Sequence, residues 1–204
     1  MRLLACGDRA LLAEVADAGE RRRLDATLRR HPLPGSVEHV PGVRTVLVVA
    51  RAPNDLPSLA AALRELVLDP DEAPDGSDDL VVEVRYDGPD LQDVATSVGI
   101  SQDDVVERHT TQLWTVEFAG FAPGFGYLTG SEGGLEVPRR ASPRTRIPAG
   151  SVGLAGPYSG IYPRASPGGW QLIGRSDAPL WDADRDPPAL LTPGRRVRFV
   201  EVGR

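Results

Sequence analysis

The chain has 204 residues, 41% of them hydrophobic and 25% charged, enough for one large domain or two small ones with a proper core. A formal net charge of −6 argues against nucleic acid or an anionic membrane as the main partner. All 23 basic residues are arginine, which excludes a phosphate-loop lysine, a Schiff-base lysine and a biotinylated lysine on this chain. Cys6 has no second cysteine to pair with, so a reducing compartment is expected. "MRLLACGDRALLAEV" is interrupted by Gly7, Asp8 and Arg9 before an apolar signal core can form, and no apolar run approaches ~20 residues. The expected location is the cytoplasm.

In chain order, "RALLAEV" reads as a strand and "AGERRRLDATLRR" as a helix, followed by the β-rich runs "SVEHV" and "VRTVLVVA" around Pro41 and Gly42. Leu56, Leu59, Ala60, Leu63 and Val67 then recur at helical spacing behind an Asn54 or Asp55 cap. "DPDEAPDGSDD" is a loop by composition, and "LVVEVRYD" closes the region as a strand. The order β-α-β-β-α-β predicts a ferredoxin-like α+β domain over residues 1–87.

"DLQDVATSVGISQDDVVERHT" predicts two short helices around "VGIS", with Ser101 and Asp104 as a capping box. The spacing imitates a DNA-binding helix-turn-helix, but the second helix presents Asp103, Asp104 and Glu107 where base-reading needs arginine, lysine, asparagine or glutamine. A helical pair packed on a sheet is the better reading. From Trp114 onward the pattern is short strands between glycines and prolines: "LWTVEF", "SVGLAG", "WQLIGR" and "RRVRFVEV". Thirteen of the 22 glycines fall between Gly120 and Gly174. Such punctuation predicts a small barrel or sandwich, so residues 88–204 are expected to hold a helical connector and a β-barrel-like domain.

Within that half, "GFAPGFGYLTG" combines turn-forming glycines with aromatics. Phe121, Pro123, Gly124, Phe125 and Tyr127 form either a tightly turned hairpin with buried rings or a pocket wall with exposed backbone N–H groups. His109 is the best acid–base candidate of the three histidines, although a charged histidine at a helix C-terminus also serves the helix dipole. Arg139, Arg140, Arg144 and Arg146 are dense for an acidic chain; forked guanidinium groups suit a carboxylate or phosphate, or salt bridges to a partner, and Arg144 and Arg146 are the substrate-binding candidates. Ser151 offers a hydroxyl without a nucleophile elbow, and Trp170 with Gln171 offers a ring beside an amide donor and acceptor. Neither paired histidines nor a Cys-x-x-Cys occurs, so no metal site is expected.

The motifs "GFAPGFGYL", "PRRASPRTRIPAGSVGLAG" and "GIYPRASPGGWQLIGRS", with "GDRALLAEV", "VPGVRTVLV", "RHT" and "PPALLTPGRRVRFV", make the chain resemble the family of 5-oxoprolinase B subunits. That family is also called allophanate hydrolase subunit 1 and includes a sporulation-kinase inhibitor. The resemblance implies a small α+β first domain and a cyclophilin-like β-barrel, together matching part of the carboxyltransferase region of urea carboxylase. It further implies the C and A subunits of 5-oxoprolinase as partners and an amide substrate opened at the expense of ATP. The ATP would be held by the complex and not necessarily by this chain, and the pocket would be shared with the C subunit. A urea or allophanate-metabolising complex and a histidine-kinase inhibitor are the alternatives the family allows. Two departures bear on substrate identity: Gly126 replaces the usual proline of "GFxPGFPYL", and Tyr158 and Ser159 alter "GGQTGIYP".

Overall fold

The computed structural model describes residues 1–69, 79–133 and 135–203, and the chain divides into two compact units, Met1–Asp75 and Gly76–Arg204. The acidic loop expected over residues 69–79 lies mostly outside the described residues.

The first unit holds β1 (Arg2–Cys6), β2 (Ala10–Glu14), α1 (Ala18–Arg30), β3 (Ser36–Pro41), β4 (Thr45–Ala50) and α2 (Leu56–Glu65). Its four strands are antiparallel in the order β1-β2-β4-β3. The strand β4 alternates half-buried and buried residues, and Val46, Val48 and Ala50 pack with Leu24 and Leu28 of α1 and Leu59 and Leu63 of α2. Asp17 caps α1 by accepting the Glu20 N–H at 2.8 Å. The helix α2 stops at Glu65, because Leu66 is already extended, so Val67 lies beyond it and is exposed.

One strand is exchanged relative to the sequence reading. In a β-α-β-β-α-β unit the last strand would sit at the edge beside β2. Arg2–Cys6 holds that edge instead, while Leu80–Val84, expected to close the first domain, is a strand of the second unit's sheet. The division therefore falls within residues 69–79 and not at residue 87.

The second unit contains β5 (Leu80–Val84), α3 (Leu91–Val98), α4 (Gln102–Thr111), β6 (Trp114–Ala119), β7 (Gly126–Gly130), β8 (Arg144–Ile147), β9 (Ser151–Ala155), β10 (Tyr158–Ile161), β11 (Ser166–Gly168), β12 (Gln171–Arg175) and β13 (Arg196–Glu201). Seven of these strands form a sheet in the order β12-β9-β10-β7-β6-β13-β5, antiparallel at every pairing except β13 with β5. The sheet closes on itself beyond β5 and β12, where Arg85 and Arg175 exchange two backbone hydrogen bonds of 2.9 Å. This is the expected barrel. Strands β8 and β11 form a separate pair.

The helical connector is as the sequence predicts. Gly99 at φ 76° ends α3, with its own N–H and that of Ile100 returning to the Ala95 carbonyl. Ser101 and Asp104 form the capping box of α4. One face of the sheet supplies Val116, Leu128, Val152, Leu154, Ile161, Ile173 and Phe199 to the main core, where they meet Val94, Val105 and Val106 of the two helices. The opposite face carries Phe125, Ala155, Tyr162, Trp170 and Leu172, joined by Ile147 of β8.

Candidate functional site

The opening turn of the aromatic face follows from its residues. In Ala122–Phe125, proline occupies the second position and Gly124 the third, with φ 83°, and the Phe125 N–H returns to the Ala122 carbonyl at 3.0 Å. A Cβ on Gly124 would lie 2.9 Å from the Leu180 carbonyl oxygen, so backbone angle and space both demand glycine. Gly124→Ala is expected to lower unfolding free energy by about 1–3 kcal/mol, read from urea denaturation midpoints; an unchanged midpoint would mean that the turn relaxes freely. The N–H groups of Gly120, Ala122 and Phe125 are all bonded within this turn, to Phe125, Gly120 and Ala122 respectively. Those three N–H groups are therefore not available to an oxyanion.

The expected aromatic residues do come together. Phe125 meets Tyr127, Tyr162 and Trp170 edge-to-face at centroid distances of 5.0, 5.4 and 5.3 Å. Phe118 stacks on Tyr127 at 4.5 Å, and Tyr158 stands edge-on to both. A bulge in β6 between Val116 and Phe118 makes this possible, since Val116 opposes Leu128 while Phe118 opposes the adjacent Tyr127. Phe125, Tyr162 and Trp170 are buried, Tyr127 and Tyr158 are half-buried, and Phe121 is 56% exposed. Pro123 is exposed at the turn. Burial pushes the Tyr162 hydroxyl up to about 12, against the opposing pull of Arg139, so it is a neutral donor at neutral pH. Ser151 opens β9 and by strand alternation shares the face of Ala155.

The arginine cluster divides. Asp90, 1% exposed just ahead of α3, accepts hydrogen bonds from Arg140 at 2.6 Å, from both terminal nitrogens of Arg144 at 2.7 and 2.8 Å, and from the Leu172 N–H at 2.7 Å. Burial pushes the Asp90 carboxyl up, but the Arg144 hydrogen bond, the Leu172 N–H and the charges of Arg144 and Arg140 outweigh it and hold the group below the usual carboxylate range. Arg144 is thus an internal strut between α3, β8 and β12, with its fork on a protein carboxylate. Arg146 is exposed on β8 and, among the described residues, makes no ion pair. The Gln171 amide donates to the Pro138 carbonyl at 3.3 Å, while its oxygen is buried without a partner.

His109 is fully buried. Its Nδ1 lies 2.7 Å from the Tyr86 hydroxyl and its Nε2 2.8 Å from Ser159 Oγ, while the ring stacks on Phe199 at 4.3 Å. The Trp114 indole donates to the His109 carbonyl at 2.9 Å. Burial lowers the imidazole to about 3, so the ring is neutral at physiological pH and is no charged cap for α4. Any proton it handles would pass through Tyr86 or Ser159. Tyr86 lines a shallow cavity of about 260 Å³ with Arg85, Asp87, Leu91 and Glu201. Ser159, one of the departures noted in the sequence, belongs to this buried chain of hydrogen bonds.

Sequence reasoning missed Asp90 and Tyr86. "GPDLQD" reads as a helix start, so Asp90 looks like a cap; its side chain instead turns to the arginines and makes no capping bond. Among the described residues no group of histidine, cysteine, aspartate or glutamate is arranged to hold a metal, and no helix is long and apolar enough to cross a membrane.

Residues 1–191 match the family described as carboxyltransferase domain, subdomain C and D, and the chain belongs to that family. It is 40% identical to the B subunit of 5-oxoprolinase from Escherichia coli O157:H7, over 98% of this chain and 95% of the relative. The crystal structure of TTHA0988 shares its fold with a TM-score of 0.81 at 36% identity, covering 96% of this chain but 41% of that longer one. A shorter stretch, 29% of this chain and 3% of the relative, is 42% identical to the urea amidolyase of Saccharomyces cerevisiae.

Proposed function

We propose that the chain is the B subunit of an ATP-dependent 5-oxoprolinase, acting with the A and C subunits to open 5-oxoproline to glutamate. The observation that carries this reading is the near end-to-end sequence match to the E. coli B subunit at 40% identity, whereas the sequence match to the S. cerevisiae urea amidolyase spans 29% of the chain. The geometry is consistent with a subunit that is inactive alone. His109 is sealed and neutral, Arg144 is committed to Asp90, and the N–H groups of Gly120, Ala122 and Phe125 are spent internally. What the second unit offers outward is a surface of rings, with Phe121 exposed, Tyr127 and Tyr158 half-covered, and Arg146 free to meet an anion. Such a surface is one wall of a composite pocket, with ATP handled elsewhere in the complex. Gln171 and Trp170 brace that wall from within, and Asp90 positions it by fixing β8 and β12.

The test is ATP-dependent glutamate release from 5-oxoproline by the reconstituted complex, with each component omitted in turn. Release is expected only when this chain and its partners are all present. Full activity without this chain, or from this chain alone, would overturn the reading.

A further inference from the structure

Strand β10 is held from both sides. Alternation turns Tyr158 outward and Ser159 inward. Outside, the Tyr158 ring stands edge-on to Phe118 and Tyr127 at 5.8 and 5.7 Å. Gly160 follows, and the rings of Phe125 and Trp170 close on its backbone, since a Cβ there would lie 3.0 Å from each. Inside, Ser159 Oγ meets His109 Nε2 at 2.8 Å. The imidazole is itself fixed: it stacks on Phe199 at 4.3 Å, leans on Trp114 at 4.9 Å, and its Nδ1 is bonded to the Tyr86 hydroxyl at 2.7 Å. A neutral imidazole has one donor and one acceptor nitrogen, and both hydroxyls can do either, so each tautomer satisfies the whole chain of bonds.

The same chain of bonds has no exit to the outer aromatic face. Ser159 is fully buried and, among the described residues, its Oγ has no partner beyond His109, so a proton passed inward stops there. The other end, Tyr86, opens on the cavity beside Arg85 and Asp87. Three polar groups placed amid the apolar main core cost desolvation, and when fully bonded they specify one arrangement of the elements they join. Here those elements are α4 and β10. We propose that His109 is a positioning residue for the reaction of the complex: through Ser159 it fixes β10, and with it the Tyr158 ring on the outer aromatic face. The inference rests on the reading of that face as one wall of the substrate pocket. It goes beyond that reading by giving a role to a buried group that never meets substrate.

The test measures kcat and KM for glutamate release by the reconstituted complex carrying His109→Gln, Ser159→Ala, Tyr158→Ala or the last two together. Amide hydrogen exchange is followed in the full chain of each variant. Glutamine offers Tyr86 and Ser159 a donor and an acceptor, so His109→Gln should retain most of the parent's kcat/KM. Ser159→Ala is expected to lower kcat/KM about tenfold or more, as for a misplaced pocket wall, and to speed exchange in β10 alone. Once Tyr158→Ala has removed the ring, adding Ser159→Ala should cost little further. A loss in His109→Gln equal to that in Ser159→Ala, with β10 still protected, would make the imidazole itself a participant and overturn the proposal. Additive losses in the double variant, or no loss in Ser159→Ala, would overturn it too. If even the parent complex releases no glutamate, the 5-oxoprolinase reading falls and exchange decides the rest: faster exchange confined to β10 in Ser159→Ala keeps the brace, and unchanged exchange removes it.

Discussion

Asp90→Ala is expected to lower the unfolding free energy of the second unit by about 3–5 kcal/mol, because it strands two partly buried guanidinium groups without their carboxylate. Arg140 and both terminal nitrogens of Arg144 converge on this one side chain, together with the Leu172 N–H. Removal would therefore loosen the end of β12 and the start of β8 as well as leaving charge uncompensated. Asp90→Asn keeps the shape and one acceptor and should cost less. The pH dependence has a definite sign. The folded carboxyl sits below its ordinary value of 3.8, so its contribution is fully present above that value and is lost as pH falls through the folded pKa. Urea denaturation at pH 7 measures the effect; a loss under about 1 kcal/mol would show that the arginines find other partners and that the carboxylate is no strut.

The second large effect concerns His109 and acid. Its imidazole is held at about 3 in the folded chain against 6.5 ordinarily, through burial. Below pH 6.5 the unfolded chain takes up a proton that the folded chain refuses, so stability falls as pH falls from 6.5 towards 3. The slope approaches about 1.4 kcal/mol per pH unit. His109→Gln retains partners for Tyr86 and Ser159 but does not titrate in this window. The wild type should lose stability more steeply than His109→Gln between pH 6.5 and about 4, measured as the difference in denaturation midpoints. Parallel curves would mean that the ring becomes protonated in place.

The turn chemistry was readable because it is local. "APGF" specifies proline then glycine at the two central positions of a turn, and "SQDD" specifies a capping box; both form as written. The barrel was legible from its punctuation, but strand exchange was not. Leu80–Val84 has the composition of a strand in either unit, and only its pairing with β13 decides where it belongs. The aromatic rings were identifiable as a group, yet the alternation of "LWTVEF" puts Trp114, Val116 and Phe118 on one face, and only the bulge moves Phe118 to the other. Roles of polar residues were the least legible. Arg144 and His109 carry the right chemistry for a site, but what they touch depends on Asp90, Tyr86 and Ser159, which are 54, 23 and 50 residues away in sequence.

In the proposed function the exposed aromatic face and Arg146 meet substrate and partner, while Asp90 with Arg140 and Arg144 holds α3, β8 and β12 together. That the assembly opens a lactam is the claim on which the rest depends. The decisive measurement supplies the reconstituted complex with ATP and bicarbonate and, in separate reactions, 5-oxoproline, urea or allophanate, and follows phosphate together with glutamate or ammonia. Phosphate and glutamate are expected in equal amounts with 5-oxoproline, with no stimulated ATP hydrolysis from the other two. ATP hydrolysis driven by urea, or ammonia released from allophanate, with 5-oxoproline inert, would contradict the lactam reading.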